Sequence, residues 1–539
     1  MNDVSWGKLP QYFYQDKQLN ISINAATMFF PISYCDVIEQ DWANIHSNMI
    51  ALEQGAMANT GEHKKVGHYW LRNPDIAPDG EIRRAITEAI KNVKLLTGKI
   101  LSGEIKPPRA ERYTKFLLIG IGGSMMGAQL LADACRDSGQ NIIAEEEAEA
   151  QFTLKPYFMD NTDPDGMDRV LSQLWEGLDS TLVIVASKSG KTMETQNCLH
   201  DTAKIFQRRG LEISRQCVAI TAENTLLWHQ ATDENWLATL PVWSWVGGRT
   251  SVTSAMGLFP AALMGIDIDE FLRGAALMDE STRNKNYRDN PAAFLSTIWH
   301  FSVQCKGWQQ MVILPYRDGL SYLPLYLQQL IMESLGKQRE TPQGRLCHGI
   351  TVFGNKGSTD QHSYIQQILE GPPNNFVNFI EVRKDKRQLH EKISSGDCLR
   401  ASLYGIRQAL LKKDRPSLTI TLEQLTPLTL GALIALYERA VGYYAFMLGI
   451  NAYDQPAVEE GKLQASAILS LQKQLMDFLI DHAGRDYTVE QISEQMNLYG
   501  REEQMWNILE NVVLNQSDLF TRQDTAAGIL KSQYGYREQ

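Results

Sequence analysis

Beyond about residue 110, short runs of apolar and β-branched residues alternate with amphipathic stretches of helical period. This alternation predicts parallel sheets covered by helices, which is an α/β fold. The expected strands are Lys115–Ile121, Pro156–Met159, Thr181–Ala186 and Cys217–Thr221, then Gln310–Pro315, Gly349–Gly354, Phe376–Val382 and Leu418–Leu422. Helical stretches such as Glu270–Ser281 and Asn290–Val303 lie between the two groups, so two similar open sheets are expected.

The two ends of the chain have a different pattern. Residues before about 100 look mostly helical, and the tail is helical and polar. With 539 residues, the chain is long enough for two to four domains. We therefore predict a mainly helical N-terminal region (1–105), a first α/β subdomain (106–285), a second α/β subdomain (286–450) and a helical C-terminal segment (451–539).

The longest apolar stretch, from Leu428 to Ile450, contains Glu438 and Arg439 and is interpreted as a buried core helix, not a membrane span. The N-terminus has no basic segment followed by an apolar run, so no signal peptide is predicted. Seven dispersed cysteines without a CxxC pair are typical of a reducing compartment. A cytoplasmic protein without a membrane partner is therefore expected.

The formal net charge of −11 argues against nucleic acid as a partner, because phosphate backbones require a basic face. An anionic substrate would have to be captured by a local positive site against the overall field.

A glycine loop follows the first predicted strand. Gly122, Gly123 and Ser124 precede a helix, where backbone N–H groups stabilise an anion. A dinucleotide fingerprint would need glycine where Met125 stands. The alternative to an anion site is a tight turn that binds nothing.

A second loop, rich in hydroxyl groups, follows the third strand with Ser187, Lys188, Ser189 and Thr192. Its Gly-Lys-Thr ending imitates a nucleotide-binding P-loop, but Val185 occupies the position of the required glycine. Several hydroxyls at a helix start suit one phosphate monoester, although serine and threonine there are commonly only helix caps.

Two further stretches contain candidate reacting groups. Arg249 follows two glycines, which allow the backbone to approach a ligand, although a lone arginine is commonly a surface ion-pair partner. Gln329 and Glu333 are four residues apart on a predicted helix, so they share a face among apolar neighbours. A partly desolvated carboxylate suits a general base. The alternative, which is commoner for a single glutamate, is a side chain that faces solvent on an amphipathic helix.

Polar residues at two later helix starts complete the candidates. His362 lies in the first turn of a predicted helix, after a strand and a glycine turn. Gln455 and Lys462 are seven residues apart on another predicted helix, with Pro456 in its first turn. The alternative for His362 is a structural or exposed histidine, which is the commoner case, and the alternative for the second segment is a polar surface helix.

Together these stretches resemble the glucose-6-phosphate isomerase family. The family motifs G-G-S, S-K-[ST], V-G-G-R, Q-x-x-x-E-S, Q-H at a helix start and D-Q-x-x-V-E-x-G-K occur in family order between residues 122 and 462. The stretch from Ala51 to Arg72 also resembles the N-terminal region of the family. The resemblance implies two sugar-isomerase (SIS) type three-layer α/β/α sandwiches with mostly parallel sheets, and a homodimer with shared active sites.

The resemblance also implies a role for each candidate. Glu333 matches the base that carries a proton between C1 and C2 of the sugar. His362 and Lys462 match the pair that assists ring opening. Arg249 matches the group that stabilises the enediolate. Contacts with the sugar are implied for Gly123, Ser124, Gln329 and Gln455, and contacts with the phosphate for Ser187, Lys188, Ser189 and Thr192.

Some positions depart from the family pattern. Thr250 replaces an aromatic residue, Pro456 replaces a tryptophan, and the lead-in Ser358–Asp360 differs from the common form. These departures concern contacts with the sugar and not the reacting groups.

The implied activity is the interconversion of glucose 6-phosphate and fructose 6-phosphate in glycolysis and gluconeogenesis. No His/Cys/Asp cluster has metal-ligand spacing, so no metal and no cofactor are expected. The alternatives are a related isomerase that also accepts mannose 6-phosphate and a regulator that only binds a sugar phosphate. A regulator needs the hydroxyl-rich loop but has no use for the base, acid and ring opener that Glu333, His362 and Lys462 would supply together.

Overall fold

The computed structural model describes residues 6–58, 63–135, 152–342, 344–386 and 392–537. The chain divides into two compact units, Met1–Asp454 and Gln455–Gln539. None of the helices in these described ranges has the length and apolar character needed to cross a membrane.

The strands are numbered in chain order. They are β1 Phe13–Asp16, β2 Ile21–Thr27, β3 Lys115–Ile119, β4 Lys155–Met159, β5 Thr181–Ala186, β6 Cys217–Thr221, β7 Ala238–Pro241, β8 Gln310–Pro315, β9 Lys337–Thr341, β10 Gly344–His348, β11 Thr351–Phe353, β12 Asn375–Val382, β13 Ser417–Leu422, β14 Tyr487–Thr488, β15 Phe520–Gln523 and β16 Gln533–Tyr536.

The α-helices are numbered in the same way. They are α1 Ser33–Glu53, α2 Gly80–Ser102, α3 Met126–Cys135, α4 Pro164–Leu174, α5 Met193–Arg208, α6 Leu226–Asp233, α7 Ala255–Leu263, α8 Ile268–Ser281, α9 Pro291–His300, α10 Leu323–Leu327, α11 Glu333–Leu335, α12 Ile365–Glu370, α13 Ser395–Lys412, α14 Pro427–Leu448, α15 Pro456–Asp481, α16 Val489–Met496 and α17 Glu502–Asn515.

The first sheet has the strand order β4-β3-β5-β6-β7, and all of its pairs are parallel. Successive side chains of a strand point to opposite faces. Phe116 and Leu118 of β3 belong to the inner core, whereas Leu117 and Ile119 pack against the outer helices α4, α5 and α6. Both faces of β3 are covered, which explains why its sequence is a continuous apolar run.

The second sheet has the order β1-β2-β13-β12-β8-β11. The pairs among β13, β12, β8 and β11 are parallel, and β1 and β2 extend the sheet antiparallel. Val312 and Leu314 of β8 pack outward against α12 and α13, whereas Ile313 belongs to the same inner core as the first sheet. The chain therefore contains two α/β/α sandwiches, and the predicted fold class is confirmed.

Helix α14 runs through this inner core and is buried over almost its whole length. Its two central charges, Glu438 and Arg439, are paired inside the protein. Arg439 Nε lies 2.9 Å from Asp279 Oδ1, and Arg72 forms ion pairs with Asp279 and Glu438. Buried charges are tolerated when they are paired in this way, so the prediction of a core helix is confirmed.

All eight predicted strands are present, with ends that agree to within about two residues. The N-terminal region contains β1 and β2 in addition to helices. The pattern did not predict β2, because asparagine and alanine in Ile21–Thr27 are rare in strands. The hairpin β9–β10 and the short strand β7 were also not predicted.

The second unit contains α15, α16, α17 and the antiparallel sheet β14-β16-β15. Its core includes Leu471, Leu475, Ile492 and Leu509. The sequence predicted helices alone here, because strands of two to four residues are too short to give a periodic signal. The predicted domain boundaries at 105, 285 and 450 fall in connections between elements and stay predictions.

Candidate active site

Two predicted loops leave the carboxyl edge of the first sheet side by side. Strand β3 lies between β4 and β5 in this sheet. After β3 the chain continues to β4, and after β5 it continues to β6 on the opposite side, so the loops that follow β3 and β5 diverge. Open α/β sheets bind ligands at such a switch point. The first loop is the 3₁₀ turn Gly122–Ser124, and the second contains Ser187 and Thr192.

The first loop is packed closely against its surroundings. A Cβ atom added to Gly123 would lie 2.1 Å from the carbonyl oxygen of Gly248, so only glycine fits this position. The hydroxyl of Ser251 donates to the carbonyl of Gly123 at 2.9 Å. A Cβ atom on Gly122 would lie 3.2 Å from Nε2 of Gln329. The loop therefore adjoins both the Gly-Gly-Arg turn and the helix of Gln329.

The second loop directs its hydroxyls towards one another. Ser187 Oγ lies 2.9 Å from Thr192 Oγ1, and Ser189 Oγ lies 3.5 Å from the same atom. Thr192 is the N-cap residue of α5, yet within the described ranges its side chain makes no capping hydrogen bond. The first N–H groups of α5 thus retain the capacity to bind an anion. Lys188 Nζ donates to the carbonyl of Val246 at 2.8 Å, close to the Gly-Gly-Arg turn.

Arg249 and Glu333 form the charged centre of this region. Arg249 lies in the 3₁₀ turn Gly248–Thr253, and Glu333 begins α11. Arg249 Nη1 is 3.5 Å from Glu333 Oε1, and the side chains are 4% and 17% exposed. The other oxygen of Glu333, Oε2, is buried and has no hydrogen-bond partner among the residues that the structure describes. A buried acceptor left in this state is costly, which favours a function for it.

Further contacts hold the Arg249 guanidinium. Its Nε donates to the hydroxyl of Ser334 at 2.7 Å, and its Nη2 donates to the carbonyls of Ala452 and, at 3.1 Å, Asp454. Lys337 Nζ donates to the same carbonyl of Asp454 at 2.9 Å and to that of Glu333 at 2.7 Å. Two cations thus share one backbone oxygen next to Glu333.

The charge of Lys337 is disfavoured at this position. Burial lowers the pKa of its ammonium group, and the nearby Arg249 guanidinium lowers it further, whereas Asp454 and Glu333 oppose the shift. The side chain is 11% exposed and lies 3.4 Å from Asp454 Oδ1. The two cations of the site, Arg249 and Lys337, therefore each lie beside a carboxylate, that of Glu333 and that of Asp454.

The helix that carries Gln329 and Glu333 is irregular. A π-helical turn, Gln328–Met332, joins α10 to α11. Such turns are rare and frequent at functional sites. Glu333 and Ser334 follow this turn directly, and both contact Arg249.

Comparison with known proteins decides the family. A family model described as phosphoglucose isomerase matches residues 36–410 and 384–483. The chain belongs to the phosphoglucose isomerase family.

Relatives match almost the whole chain. The glucose-6-phosphate isomerase of Geotalea daltonii is 44% identical over 514 residues, which cover 95% of each chain. That of a Cyanothece species is 46% identical over 479 residues and 88% of each chain. A crystal structure of a glucose-6-phosphate isomerase from Chlamydia trachomatis has the same fold, with a TM-score of 0.76 and 24% identity, covering 88% of this chain and 92% of that chain.

The structure also describes His362, another expected member of the family site. His362 ends the 3₁₀ turn Thr359–His362 instead of starting an α-helix, and its side chain is exposed. Its neighbour Gln361 is held by hydrogen bonds to the Tyr316 hydroxyl and the Ser402 carbonyl. Within the described ranges, no hydrogen bond or ion pair joins His362 to Glu333.

Two further candidates belong to the second unit of the chain. Helix α15 begins at Pro456, as predicted, and Gln455 is its N-cap residue. Lys462 lies in the second turn of that helix and is exposed. Neither residue belongs to the unit that contains Arg249 and Glu333.

Sequence reasoning missed four residues that the structure places around Arg249. They are Ser334, Lys337, Asp454 and Tyr326, whose hydroxyl contacts the Arg249 carbonyl at 3.4 Å and Glu438 Oε1 at 3.3 Å. Ser334 and Asp454 lie within quoted family motifs, and that was the only signal they carried.

No group of three or more metal-ligating side chains occurs in the described part of this family member.

Proposed function

We propose that this protein interconverts glucose 6-phosphate and fructose 6-phosphate by proton transfer between C1 and C2. The observation that carries the proposal is the pair of Arg249 and Glu333 beside two glycine- and hydroxyl-rich loops. Membership of the phosphoglucose isomerase family supports it independently. In the glycolytic direction the aldose is converted to the ketose, and in gluconeogenesis the reverse reaction occurs.

Glu333 is the proposed base. Its carboxylate removes a proton from the carbon next to the carbonyl of the open-chain sugar and returns it to the neighbouring carbon. The unpartnered, buried Oε2 atom supports this role, because it can accept a proton without first breaking a hydrogen bond. A positioned base typically contributes about 10²–10⁴-fold to the rate.

Arg249 is the proposed stabiliser of the cis-enediolate that forms between the two transfers. The negative charge then lies on the oxygens of C1 and C2, and a buried guanidinium interacts with it strongly because little water screens the charges. Such a donor is worth roughly 3–4 kcal/mol in the transition state. Gly123, Ser124, Gln329 and Gln455 are the proposed contacts of the sugar.

Ring opening precedes the proton transfer. His362 and Lys462 are proposed to assist it, one by removing the proton of the anomeric hydroxyl and the other by protonating the ring oxygen. The support for both roles is the match to the family motifs. In this chain His362 is exposed and Lys462 lies in the second unit.

The phosphate group is proposed to bind the second loop through Ser187, Lys188, Ser189 and Thr192. The uncapped start of α5 supports this assignment, since its N–H groups stabilise an anion. The phosphate does not react, and its binding energy holds C1 and C2 against the base.

The proposed assembly is a homodimer in the cytoplasm, with His362 supplied to each active site by the partner subunit. The exposure of His362 supports this arrangement, since a residue that serves a neighbouring chain must lie on the surface of its own chain.

A coupled assay tests the activity directly. The protein is given fructose 6-phosphate together with glucose-6-phosphate dehydrogenase and NADP, and NADPH formation is followed. Formation at a rate proportional to protein concentration is expected. Binding of the sugar phosphate in calorimetry without turnover would instead identify a regulator, and equal turnover of mannose 6-phosphate would identify a broader isomerase.

A further inference from the structure

Ser334 follows the proposed base directly and contacts the proposed enediolate stabiliser. Its hydroxyl oxygen accepts a hydrogen bond from Arg249 Nε at 2.7 Å, and the residue is 2% exposed. A hydrogen bond to a charged donor at this distance is among the stronger ones in proteins. The contact bridges two segments that lie 85 residues apart in the chain.

The position of this contact on the guanidinium is informative. Arginine has donors on three nitrogen atoms in one rigid plane. Ser334 holds Nε, the carbonyls of Ala452 and Asp454 hold Nη2, and Nη1 faces Glu333. Fixing two corners of a planar group fixes the direction of the third.

The chemistry of these acceptors also matters. The Ser334 hydroxyl and the two carbonyls are neutral, so they orient the guanidinium without cancelling its charge. A carboxylate in the place of Ser334 would hold Arg249 as firmly. Its negative charge, however, would offset the positive charge of Arg249 that stabilises an enediolate. A short neutral acceptor suits a cation that must interact with a transient anion.

We infer that Ser334 is a positioning residue for the isomerisation, which fixes the plane of Arg249 so that Nη1 is directed to where the enediolate forms. This inference rests on the proposed function. Ser334 does not contact the sugar in this role and acts only through Arg249. Its removal should therefore weaken stabilisation of the enediolate and leave sugar binding almost unchanged.

The test compares Ser334→Ala with the wild type in both kinetics and inhibition. With fructose 6-phosphate, kcat should fall about 10- to 100-fold, as expected for loss of a hydrogen bond to a charged group, whereas KM should stay within about threefold. Inhibition by the five-carbon aldonic acid phosphate, whose carboxylate mimics the enediolate, should weaken by a similar factor. Inhibition by glucitol 6-phosphate, which carries no charge at C1 or C2, should not change.

Two further variants exclude a purely structural effect. Ser334→Cys keeps the shape of the side chain, with a somewhat larger atom, but replaces the oxygen by a weak acceptor, so it should reproduce the kcat defect. Ser334→Thr keeps the hydroxyl and should recover most of the activity. Ser296→Ala is the matched control, because it removes another buried hydroxyl, which donates to the Ala293 carbonyl within α9, and should leave kcat unchanged.

Three outcomes would overturn the inference. The first is a Ser334→Ala enzyme with kcat within about twofold of the wild type. The second is an equal weakening of both inhibitors together with KM. The third, which remains decisive if Ser334→Ala does not fold, is a fully active Ser334→Cys enzyme. An inactive wild type would refute the proposed function instead, so the two failures are distinguishable.

Discussion

At the scale of single residues, the buried Oε2 atom of Glu333 provides the sharpest prediction. In Glu333→Gln an amide of the same shape takes the place of the carboxylate, and the amide cannot take up the proton. Turnover of fructose 6-phosphate should fall by several orders of magnitude, because the base is lost, while glucitol 6-phosphate should bind within a few-fold of the wild type. Steady-state kinetics and calorimetry measure the two quantities, and near wild-type turnover would show that Glu333 is not the base.

His68 gives a prediction about acid stability. The ring is 1% exposed, and neither of its nitrogens has a hydrogen-bond partner in the described residues. Burial lowers the pKa of His68 well below its usual value, and the positive charges of Arg72, Arg439 and Arg249 act in the same direction. The folded protein therefore keeps His68 neutral where the unfolded chain takes up a proton.

The sign of the effect follows from this difference. Below about pH 6.5 the unfolded state binds one more proton at His68 than the folded state, so the free energy of unfolding falls as the pH falls. His68→Phe should remove this contribution, up to about 1.4 kcal/mol per pH unit below that point. Urea unfolding between pH 8 and pH 5 checks it, with the exposed His200→Phe as control. Parallel pH profiles of the wild type and His68→Phe would contradict the prediction.

At the scale of elements, the start of α5 is the testable feature. Replacing Ser189 and Thr192 together by alanine should raise KM for fructose 6-phosphate strongly and change the slow turnover of fructose little, because only the phosphorylated sugar uses the loop. Thr488→Ala is the matched control. It removes a hydroxyl that does cap a helix, α16, so it should cost about 1 kcal/mol of stability without raising KM. Equal losses on both sugars would show that the second loop is structural.

The elements also show what the sequence could predict. Strands β5, β6 and β8 were predicted to the residue, because a strand covered on both faces is a continuous apolar run bounded by polar residues. The loops that follow β3 and β5 were predicted for a related reason, since glycines and hydroxyls directly after such a run mark the edge where parallel sheets bind ligands.

Other features could not be predicted, because they depend on segments that are distant in the chain. The bond between Arg249 and Ser334 and the pairing of β2 with β13 exist only once the chain has folded. The π-helical turn Gln328–Met332 has no sequence signature, since its residues also suit a regular helix. The proposed roles of His362 and Lys462 remain predictions from family motifs.

At the scale of the whole molecule, the proposed shared site predicts complementation between inactive variants. If the partner subunit supplies His362, a mixed dimer of Glu333→Gln and His362→Ala has one intact site and one site with both lesions. Random reassociation makes about half of the dimers mixed, so about a quarter of wild-type activity should return after the two variants are unfolded and refolded together.

The control for this experiment uses two residues that lie together in one chain. Arg249 and Glu333 form an ion pair within the same unit, so Arg249→Ala mixed with Glu333→Gln should recover nothing. If mass spectrometry shows mixed dimers of the His362 and Glu333 variants and activity still does not return, the proposal of shared sites is wrong.

The attachment of β2 to β13 has a consequence for synthesis on the ribosome. Ile21 pairs with Leu422 and Ile23 with Ile420, so about 400 residues must be translated before these partners meet. At 5–20 residues per second this takes about 20–80 seconds, whereas the first sheet is complete as soon as Pro241 has emerged. The nascent chain therefore contains every strand of the first sheet while β2 still lacks its partner β13. During that interval Ile21 and Ile23, which are buried in the folded protein, are accessible to proteins that bind unfolded chains.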